Sequence, residues 1–477
     1  MKRLLYRIVV LSLVFCLALG GAGGVFAAGN VYVNDSQNTL TGDVNSAYVI
    51  GGSGETGLAG DSYAITGSGV LKVGESVIPS VPDPGEEGTS VSLSTNTVRV
   101  GLYYYYSGSR DTALTSANLE NKVGSGYKFG YYDSNRVFHE TGSTTETKIT
   151  MSPKGDGRGV SVAKTGTSTV LYEHTNQSAN LAVRPVSSSG KAETWFKGNT
   201  YYGDFEYYRY VSSKLTVINV LDIEDYVKGV VPIEMSPSWP IEALKAQALC
   251  ARTYFARSIN SYSKYGFDVT ADTYCQAYLG TARATANSDA AVDATAGKYV
   301  TYKGELCTTF YFSSGGGATE SSENIFVAAL PYCRGKLDPY EEALESFPYK
   351  TWKYEFKTSQ LLSKLKSYGL ADIASFEPTY SPTGNMIELV FTDSNGKKAT
   401  ITKSSCYSTL GLPSINYTIK RSDTNPDLYI FEGGGWGHSV GMSQWGAYSM
   451  AKNFGMNYRQ IISFYFTGVD ISTGRLK

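Results

Sequence analysis

The chain has 477 residues, which is long enough for two or three domains with a substantial core. Its 42 basic and 43 acidic residues leave a net charge of −1, so charge gives no case for a nucleic-acid partner or an anionic membrane surface. The 38 tyrosines have two readings: tyrosine stacks on sugar faces, but more often it fills strands in extracellular β-rich proteins.

The N-terminus predicts export. An apolar run at residues 8–19 follows three basic residues: Lys2, Arg3 and Arg7. Residues 25–27 end in the small-residue pattern that precedes signal-peptidase cleavage, so we expect residues 1–28 to be a signal peptide. The alternative is an uncleaved membrane anchor, because residues 8–28 are just long enough to span a bilayer.

Five cysteines follow the predicted cleavage site: Cys250, Cys275, Cys307, Cys333 and Cys406. This odd, scattered set does not indicate a disulfide framework, although an oxidising compartment would allow one bridge.

Residues 29–95 are rich in Gly, Ser, Asp and Thr and predict a flexible or loosely folded spacer. From residue 96 the pattern alternates as strands do, and Asp133-Ser134-Asn135 indicates a hairpin-type turn. Residues 114–123 are compatible with a short helix. We therefore predict a small α+β module over residues 96–190, with binding and packing roles equally open.

A long helix is predicted to begin near Pro240. Proline suits a first helical turn, where its missing N–H is no loss, and Glu242 places negative charge at the positive end of the helix dipole. An apolar stripe follows at spacings of three and four: Ile241, Leu244, Ala248, Ala251, Phe255 and Ile259. The preceding stretch, residues 195–231, predicts two or three strands that lead to this helix.

Glu234 lies just ahead of the predicted helix. Pro232 and Pro237 bracket it in a segment that we expect not to be regular helix. The neighbouring side chains are apolar: Ile233, Met235 and Trp239. Loss of hydration among them would raise the pKa of the Glu234 carboxyl toward the range that a general acid needs. The alternative is an ordinary solvated turn residue.

Two glycine-rich stretches mark the C-terminal part of the chain. Gly315, Gly316 and Gly317 lack a following Lys and helix pattern, so they indicate a loop or a backbone close to a ligand, not a phosphate loop. GWGHSVGMSQWGA, at residues 435–447, is typical of a tight, exposed binding loop; the alternative is a glycine-rich turn with buried Trp. A short amphipathic helix is predicted at 356–370 and another helix at 444–453, with Asn457 as a later cap.

Residues 195–477 resemble the SpoIID/LytB family of bacterial cell-wall proteins. The stretches that carry the resemblance are YYGDFEYY, INVLDIEDYVKGVVPIEMSPSWPIEALKAQALCARTYFAR, SSGGGAT and GWGHSVGMSQWGAYSMA. The resemblance implies an α+β catalytic domain, here residues 191–477, in which mixed sheets pack around the helix that follows the catalytic Glu. It also implies a peptidoglycan lytic transglycosylase that cleaves the MurNAc-β-1,4-GlcNAc bond and leaves a 1,6-anhydro end.

The family's catalytic acid corresponds to Glu234 in the PIEM sequence. A glycosidase ordinarily needs two carboxylates, but one suffices when the muramoyl C6 hydroxyl is the nucleophile, because that hydroxyl is held near the anomeric carbon. Glu224 and Asp225 are the nearest other acids, and we interpret them as structural, with an assisting role for Glu224 left open.

Hydrogen bonds and a stacking face for N-acetyl sugars are predicted from five residues near the glycine-rich stretches: His438, Gln444, Trp445, Ser314 and Thr319. Gln247, Arg252 and Tyr254 lie on the helix flank and either support the site or only its packing. Some relatives have a Cys/His zinc site near DTYCQ. Here Tyr274 stands where a His would be needed beside Cys275, so we predict no metal and no cofactor.

The expected arrangement is a groove shared by Glu234 and the GWGH loop, with glycan strands as the partner and a cell-wall amidase as a further one. A non-catalytic wall-binding amidase enhancer is the main alternative. A true hydrolase is a weaker one, because it would require a second carboxylate across the groove.

Overall fold

The computed structural model describes residues 81–84, 89–106 and 110–476, together with the backbone of seven short strands between residues 14 and 66. The predicted signal peptide is described only at residues 14–15 and 24–27, and the predicted spacer only at β3 to β7 and at residues 81–84 and 89–95. Helices and mixed sheets are both present, which confirms the α+β class. Among the described residues, no helix combines the length and the apolar character that a membrane span requires.

The early strands form two small sheets, β1-β2-β5 and β3-β4-β7-β6. Their bounds are β1 Val14–Phe15, β2 Gly24–Ala27, β3 Val31–Asn34, β4 Thr39–Asp43, β5 Ala47–Ile50, β6 Glu55–Ala59 and β7 Ser62–Thr66.

The next strands, up to residue 309, are β8 Ser90–Leu93, β9 Thr97–Tyr103, β10 Tyr105–Tyr106, β11 Arg110–Asp111, β12 Ala117–Asn121, β13 Tyr127–Tyr132, β14 Phe138–Thr144, β15 Lys148–Pro153, β16 Val160–Lys164, β17 Val170–His174, β18 Leu181–Pro185, β19 Thr194–Phe196, β20 Asn199–Tyr201, β21 Asp204–Tyr208, β22 Thr216–Asp222, β23 Val269–Thr270, β24 Lys298–Tyr302 and β25 Glu305–Leu306. The later strands are β26 Tyr311–Phe312, β27 Trp352–Lys357, β28 Ser375–Tyr380, β29 Met386–Thr392, β30 Lys398–Thr402, β31 Tyr417–Arg421, β32 Leu428–Gly433, β33 Met442–Ser443 and β34 Asp470–Leu476.

The helices are α1 Ile223–Glu234, α2 Ile241–Ser258, α3 Ala286–Ala294, α4 Ser322–Ile325, α5 Pro339–Glu342, α6 Thr358–Lys364, α7 Ser405–Ser408, α8 Gln444–Asn453 and α9 Tyr458–Tyr465.

The chain divides into two compact units, which are described separately. The first unit contains residues 1–84 and 310–468, and the second contains residues 85–309 and 469–477.

The second unit is built on a seven-stranded sheet, β14-β13-β18-β21-β22-β9-β23, and a six-stranded sheet, β17-β16-β15-β12-β19-β20. Alternate residues of the central strands are buried, as Val98 and Val100 are on β9, because successive side chains of a strand point to opposite faces. The sequence divides this region at residue 190. In the structure, strands from both sides of that position share these sheets, since β18 pairs with β21 and β12 pairs with β19.

The predicted short helix at residues 114–123 is wrong. Ala117, Leu119 and Asn121 are buried and alternate with more exposed residues, so the period is two, and β12 pairs with β15 and β19 on its two edges. The predicted turn at residues 133–135 is confirmed between β13 and β14. There the Asp133 side chain accepts hydrogen bonds from the backbone N–H groups of Asn135 and Val137, at 2.9 Å each.

Pro232 lies inside a helix, contrary to our prediction of an irregular segment. Asp222 caps α1 by accepting a hydrogen bond from the Glu224 N–H, and the acidic first turn favours the helix dipole. Proline falls in the last turn of α1, and Glu234 is the final residue of this helix. Because proline has no N–H to donate to the carbonyl four residues earlier, α1 lacks one hydrogen bond at this position.

α2 begins where predicted, with Pro240 as its cap residue, and its buried face includes Leu244, Ala248, Ala251 and Phe255. The first unit confirms the helix predicted at 356–370, which is the shorter α6 at Thr358–Lys364, and the helix predicted at 444–453. Asn457 caps α9, where its side chain accepts from the N–H groups of Arg459 and Gln460. Small sheets β27-β32-β31 and β28-β29-β30 complete this unit.

Candidate active site

Glu234 is half-buried at the C-terminal end of α1, in the second unit. Its Oε1 accepts a hydrogen bond of 2.8 Å from the Ala277 backbone N–H. The following residue, Met235, is buried, and its N–H closes the last turn of α1 on the Val231 carbonyl. Met235, one of the apolar neighbours named from the sequence, is therefore buried, and the Glu234 carboxylate has a fixed polar contact.

The connection from α1 to α2 is held in place by α3. Asn287 donates from its Nδ2 to the carbonyl oxygens of Pro237 (2.8 Å) and Trp239 (3.1 Å). The connection that follows Glu234 is therefore anchored to α3 through the carbonyl groups of Pro237 and Trp239.

The segment at residues 272–280 brings the Ala277 amide to Glu234. On one side of Ala277, the buried Gln276 donates to the Tyr226 hydroxyl (3.1 Å) and the Ala251 carbonyl (3.3 Å). On the other side, the Tyr278 hydroxyl donates to Asn219 Oδ1 at 2.7 Å. Three helical or strand residues thus position this segment against α1.

Gly229 allows α1 and this segment to pack closely. A Cβ at this position would lie 2.3 Å from the Tyr278 ring and 2.9 Å from the Gly280 carbonyl oxygen. Any larger residue would push Tyr278, and with it the neighbouring Ala277 amide, away from α1. The glycine is therefore a packing requirement of the Glu234 environment.

Arg252, one of the predicted substrate contacts, is fully buried. It binds both carboxylate oxygens of Glu224, with Nη2 2.6 Å from Oε2 and Nε 2.9 Å from Oε1. Glu224 also accepts from the Gly297 N–H at 3.0 Å. These contacts favour the packing alternative for Arg252 and the structural interpretation of Glu224.

The other residues predicted on the helix flank differ in exposure. Gln247 is fully buried, whereas Tyr254 is half-buried, and burial raises the pKa of its hydroxyl to about 12. Asp225 forms an ion pair with Lys191. Tyr254 is therefore the member of this predicted group whose side chain reaches solvent.

Cys275 is the cysteine of the DTYCQ stretch, where Tyr274 takes the place of the His that a zinc site would need. Burial raises the pKa of its thiol, and hydrogen bonds with Thr270 and Tyr262 act in the opposite direction. Among the residues that the structure describes, no group of three or more His, Cys, Asp and Glu side chains is arranged to hold a metal ion. The absence of zinc stays a prediction.

In the first unit, the triple-glycine turn wraps around a buried carboxylate. Glu341 accepts from the backbone N–H groups of Gly315 (2.9 Å), Gly316 (2.7 Å) and Gly317 (3.3 Å), and from the Ser443 hydroxyl. Gly316 and Gly317 have φ of +67° and +95°, which glycine adopts without strain. The turn is thus a built anion cradle whose occupant is a side chain of the same unit.

Asp338 lies beside Glu341 at the start of α5, where it accepts from the Glu341 N–H (3.0 Å) and from the Tyr465 hydroxyl (2.5 Å). Burial, followed by the charge of Glu341, raises the pKa of Asp338 to about 7. Burial also raises the pKa of Glu341, against the hydrogen bonds from Ser443 and the three glycines. Sequence reasoning missed this pair, because only the fold brings α5 against the glycine turn.

His438 is half-buried and contacts three aromatic rings. The centroids of Phe326, Phe312 and Phe310 lie 5.3, 5.5 and 5.9 Å from its ring, and Nδ1 accepts from the Val440 N–H at 3.1 Å. Burial lowers the pKa of His438 to about 4, only partly offset by a hydrogen bond to the Tyr311 backbone. The imidazole is therefore neutral at pH 7 and supports the shape of the loop.

Three other predicted residues of this unit are buried: Ser314, Thr319 and Gln444. Ser314 exchanges two backbone hydrogen bonds with Trp436. Thr319 donates its N–H to the Lys336 carbonyl at 2.8 Å, and its Oγ1 accepts from the Lys336 N–H at 3.1 Å. Gln444 starts α8, which Ser443 caps. Trp445 is partly exposed, and its ring stacks on Phe347 with centroids 5.5 Å apart.

Trp436 and Tyr349 form an exposed aromatic pair that sequence reasoning missed. Their side chains are 44% and 43% exposed, and their ring centroids are 4.2 Å apart. Tyr349 has a left-handed backbone (φ +63°) and its carbonyl accepts from the Gly435 N–H at 2.8 Å. The GWG sequence was the available signal, since a Trp between two glycines in a tight loop has little packing around it. Such a pair offers a face on which a sugar ring can stack.

The predicted site residues thus form two groups. Glu234, Tyr254 and the buried residues of the α1–α2 region lie in the second unit, and the residues of both glycine-rich stretches lie together in the first. The predicted groove shared by Glu234 and His438 joins residues of different units and stays a prediction.

This chain is similar to one protein family and to several bacterial proteins. The family described as stage II sporulation protein, SpoIID, matches residues 211–302, which include α1 and α2. The chain is 39% identical over 280 residues to an uncharacterized protein of Brachyspira hyodysenteriae, covering 57% of this chain and 73% of the relative. It is 32% identical to stage II sporulation protein D of Bacillus subtilis over 55% of this chain and 78% of the relative.

An amidase enhancer of Bacillus subtilis is 30% identical over 52% of this chain, but the match spans only 40% of that longer protein. The match to stage II sporulation protein D covers 78% of that relative, and the family match at residues 211–302 includes Glu234. The chain therefore belongs to the SpoIID family.

Proposed function

We propose that this protein is a peptidoglycan lytic transglycosylase with Glu234 as its single acid/base, acting in cell-wall remodelling such as sporulation. The observation that carries the proposal is the setting of Glu234: a half-buried carboxylate at the end of α1, anchored by the Ala277 amide. Family membership supports a role in the bacterial cell wall.

In the proposed reaction, the Glu234 carboxyl donates its proton to the oxygen that links MurNAc C1 to GlcNAc. The C1–O bond breaks, GlcNAc leaves with that proton as a hydroxyl, and positive charge develops at C1. The Glu234 carboxylate then takes the proton of the muramoyl C6 hydroxyl, whose oxygen attacks C1 and closes the 1,6-anhydro ring. No water is consumed, so one carboxylate performs both proton transfers.

The Ala277 N–H would orient the carboxyl by holding Oε1, and it would stabilise the carboxylate form after the first step. The Trp436–Tyr349 pair is suited to stacking on a sugar ring, which adds a candidate contact to His438, Gln444, Trp445, Ser314 and Thr319.

The test is mass spectrometry of products from peptide-free glycan strands incubated with the wild type and with Glu234→Gln. Glutamine keeps an oxygen for the Ala277 amide but cannot transfer a proton. We expect anhydro ends from the wild type and a loss of roughly 10²- to 10⁴-fold in the variant, the usual contribution of general acid–base catalysis. Glu305→Gln, which removes an exposed carboxylate of the same unit, should keep full activity.

The second candidate function is a non-catalytic peptidoglycan-binding amidase enhancer, favoured by the similarity to the amidase enhancer. It predicts that neither protein releases products while both bind the strands, and that the rate of a cell-wall amidase rises in their presence. Reducing muramic ends from the wild type would instead identify a hydrolase.

The proposed substrate requires an exported protein, either released by signal-peptide cleavage or held by an uncleaved N-terminal anchor. The N-terminal residue of protein recovered from outside the cell membrane separates these two forms. Protein found only in the cytoplasm would contradict export.

A further inference from the structure

A polar cavity of ≈ 210 Å³ lies within the second unit, and none of the predicted site residues lines it. Arg99 on β9 and Arg158 in the turn between β15 and β16 line it. Asn260 and Ser263, which follow α2, and Asp268, which precedes β23, complete its polar wall. Asn260 and Ser263 are exposed, so a small ligand can enter the cavity from solvent.

The charged groups around this cavity carry a surplus of positive charge. Arg136 binds both oxygens of Asp268, at 2.7 and 2.8 Å, and the Arg99 backbone N–H donates to the same carboxylate at 3.0 Å. Arg99 pairs with the buried Glu206, with Nε 3.2 Å from Oε2. Three guanidinium groups, including that of Arg158, therefore face two carboxylates, which leaves one positive charge unbalanced.

The two arginines that line the cavity also keep unused hydrogen-bond donors. Within the described residues, the terminal nitrogens of Arg99 make no hydrogen bond, and Arg158 uses only Nη1, which donates to Asn180 Oδ1 at 2.7 Å. The Asp268 oxygens already accept three hydrogen bonds. The cavity thus offers hydrogen-bond donors and positive charge, and Asp268, the carboxylate that lines it, is already hydrogen-bonded through both oxygens.

The turn that carries Arg158 is braced from inside the protein. Arg209 is buried, with 8% of its surface exposed. It donates to the carbonyl oxygens of Lys154, Gly155 and Gly159, each at 2.8 Å. The Arg158 guanidinium also lies over the Tyr208 ring, 5.4 Å from its centroid. Because the loop backbone and the side chain are both held, the guanidinium is positioned before a ligand arrives, which reduces the entropy lost on binding.

We propose that this cavity binds a carboxylate or phosphate group of an anionic cell-wall polymer. The guanidinium groups of Arg99 and Arg158, of which the second is preorganised, match the geometry of such oxyanions, since each can present two parallel N–H donors. One source is the lactyl carboxylate of MurNAc, which is exposed on glycan strands that lack stem peptides. The other is a phosphate-bearing polymer. Only the identity of the wall polymer rests on the proposed function, and binding does not require cleavage.

The test uses the whole protein and three small probes at constant ionic strength: MurNAc, GlcNAc and inorganic phosphate. MurNAc and GlcNAc differ only by the lactyl ether, so their comparison isolates the carboxylate. We expect saturable binding of MurNAc or phosphate by ligand-observed NMR, with affinity reduced roughly tenfold or more in Arg158→Gln, the usual effect of losing a charge-assisted hydrogen bond. Arg283→Gln, which removes an exposed guanidinium of the same unit, should bind like the wild type.

A second variant separates binding from folding. Arg99→Lys keeps a positive charge next to Glu206 but loses the planar fork, so we expect the wild-type melting temperature with weaker probe binding. Binding of MurNAc assigns the carboxylate source, and binding of phosphate alone assigns the phosphate source. The proposal is overturned if neither anion binds, if GlcNAc binds as tightly as MurNAc while phosphate does not bind, or if Arg158→Gln binds like the wild type. Each of these outcomes leaves the Glu234 reaction untouched.

Discussion

Burial controls the charge of single residues in this protein, and Asp338 shows it most clearly. Its carboxyl is enclosed next to Glu341, and its pKa is raised to about 7. In the unfolded chain an Asp titrates near 3.9. Between these values the folded protein holds a proton that the unfolded chain has lost, so the contribution of Asp338 to stability is greatest below pH of about 4 and declines as pH rises through about 7.

We therefore predict that Asp338→Asn flattens the pH dependence of stability. In the wild type, the free energy of unfolding should fall by on the order of a few kcal/mol between pH 4.5 and 8 because of this group. The neutral amide keeps one acceptor oxygen for either the Glu341 N–H or the Tyr465 hydroxyl and has no charge to bury, so the variant should lose less over the same range. Urea unfolding at several pH values measures this.

Asp423→Asn, which changes an exposed residue of the same unit, is the control and should retain the wild-type slope. An unchanged slope in Asp338→Asn would show that Asp338 does not hold a proton at neutral pH in the folded state.

At the scale of secondary structure, one buried arginine connects the elements that surround Glu234. Arg252 on α2 binds Glu224 on α1, and it also donates to the carbonyl oxygens of Val292 on α3 (3.3 Å) and Lys298 on β24 (3.4 Å). Truncating this residue removes a tie between three helices and leaves the Glu224 carboxylate without its counter-charge.

We predict that Arg252→Met lowers the free energy of unfolding by about 3 kcal/mol, the low end of the range for breaking a buried pair, because the Glu224 side chain is 24% exposed. Adding Glu224→Gln should restore part of this loss, since no carboxylate then remains unpaired. Urea denaturation of the single and double variants provides the measurement.

The same variants test the predicted substrate contact. If Arg252→Met unfolds like the wild type but no longer binds glycan strands, Arg252 contacts the substrate and the structural role is wrong. If Arg252→Met is destabilised but binds glycan strands normally under conditions in which it is folded, Arg252 has a structural role and does not contact the substrate.

At the scale of the whole molecule, strand β34 joins two strands of the second unit that lie far apart in the sequence. β34 lies between β24 and β8 in a four-stranded sheet, antiparallel to the former and parallel to the latter. Residues separated by more than 370 positions are therefore neighbours, and β8 has no other partner strand in this sheet.

We predict that removing residues 470–477 destabilises the second unit by on the order of 5 kcal/mol or more, since several backbone hydrogen bonds worth about 1 kcal/mol each are lost together with strand packing. Hydrogen exchange should show loss of amide protection in β24 and β8, while β30 of the first unit keeps its protection. Removal of Lys477 alone is the control. Unchanged protection of β24 would contradict the prediction.

Much of the secondary structure could be predicted from local signals. The Pro240 start and apolar stripe define α2, the Asn457 cap starts α9, and Asp133 forms the hairpin turn, because each depends on residues within one or two turns of the chain. Helix α1 was missed, although Asp222 and the acidic first turn were present, because its valine pair and Pro232 favour strand or irregular structure locally. Packing against α2 and α3 outweighs these preferences.

The sequence by itself determined the family, the α+β class and the choice of Glu234 as candidate acid, since these depend on motifs of contiguous residues. Only the tertiary structure decided that Ala277 contacts Glu234, that Arg252 is buried on Glu224, and that Glu341 fills the glycine turn. The physical reason is separation along the chain. These contacts join residues 24 to 43 positions apart, so they exist only once the intervening helices and strands have packed.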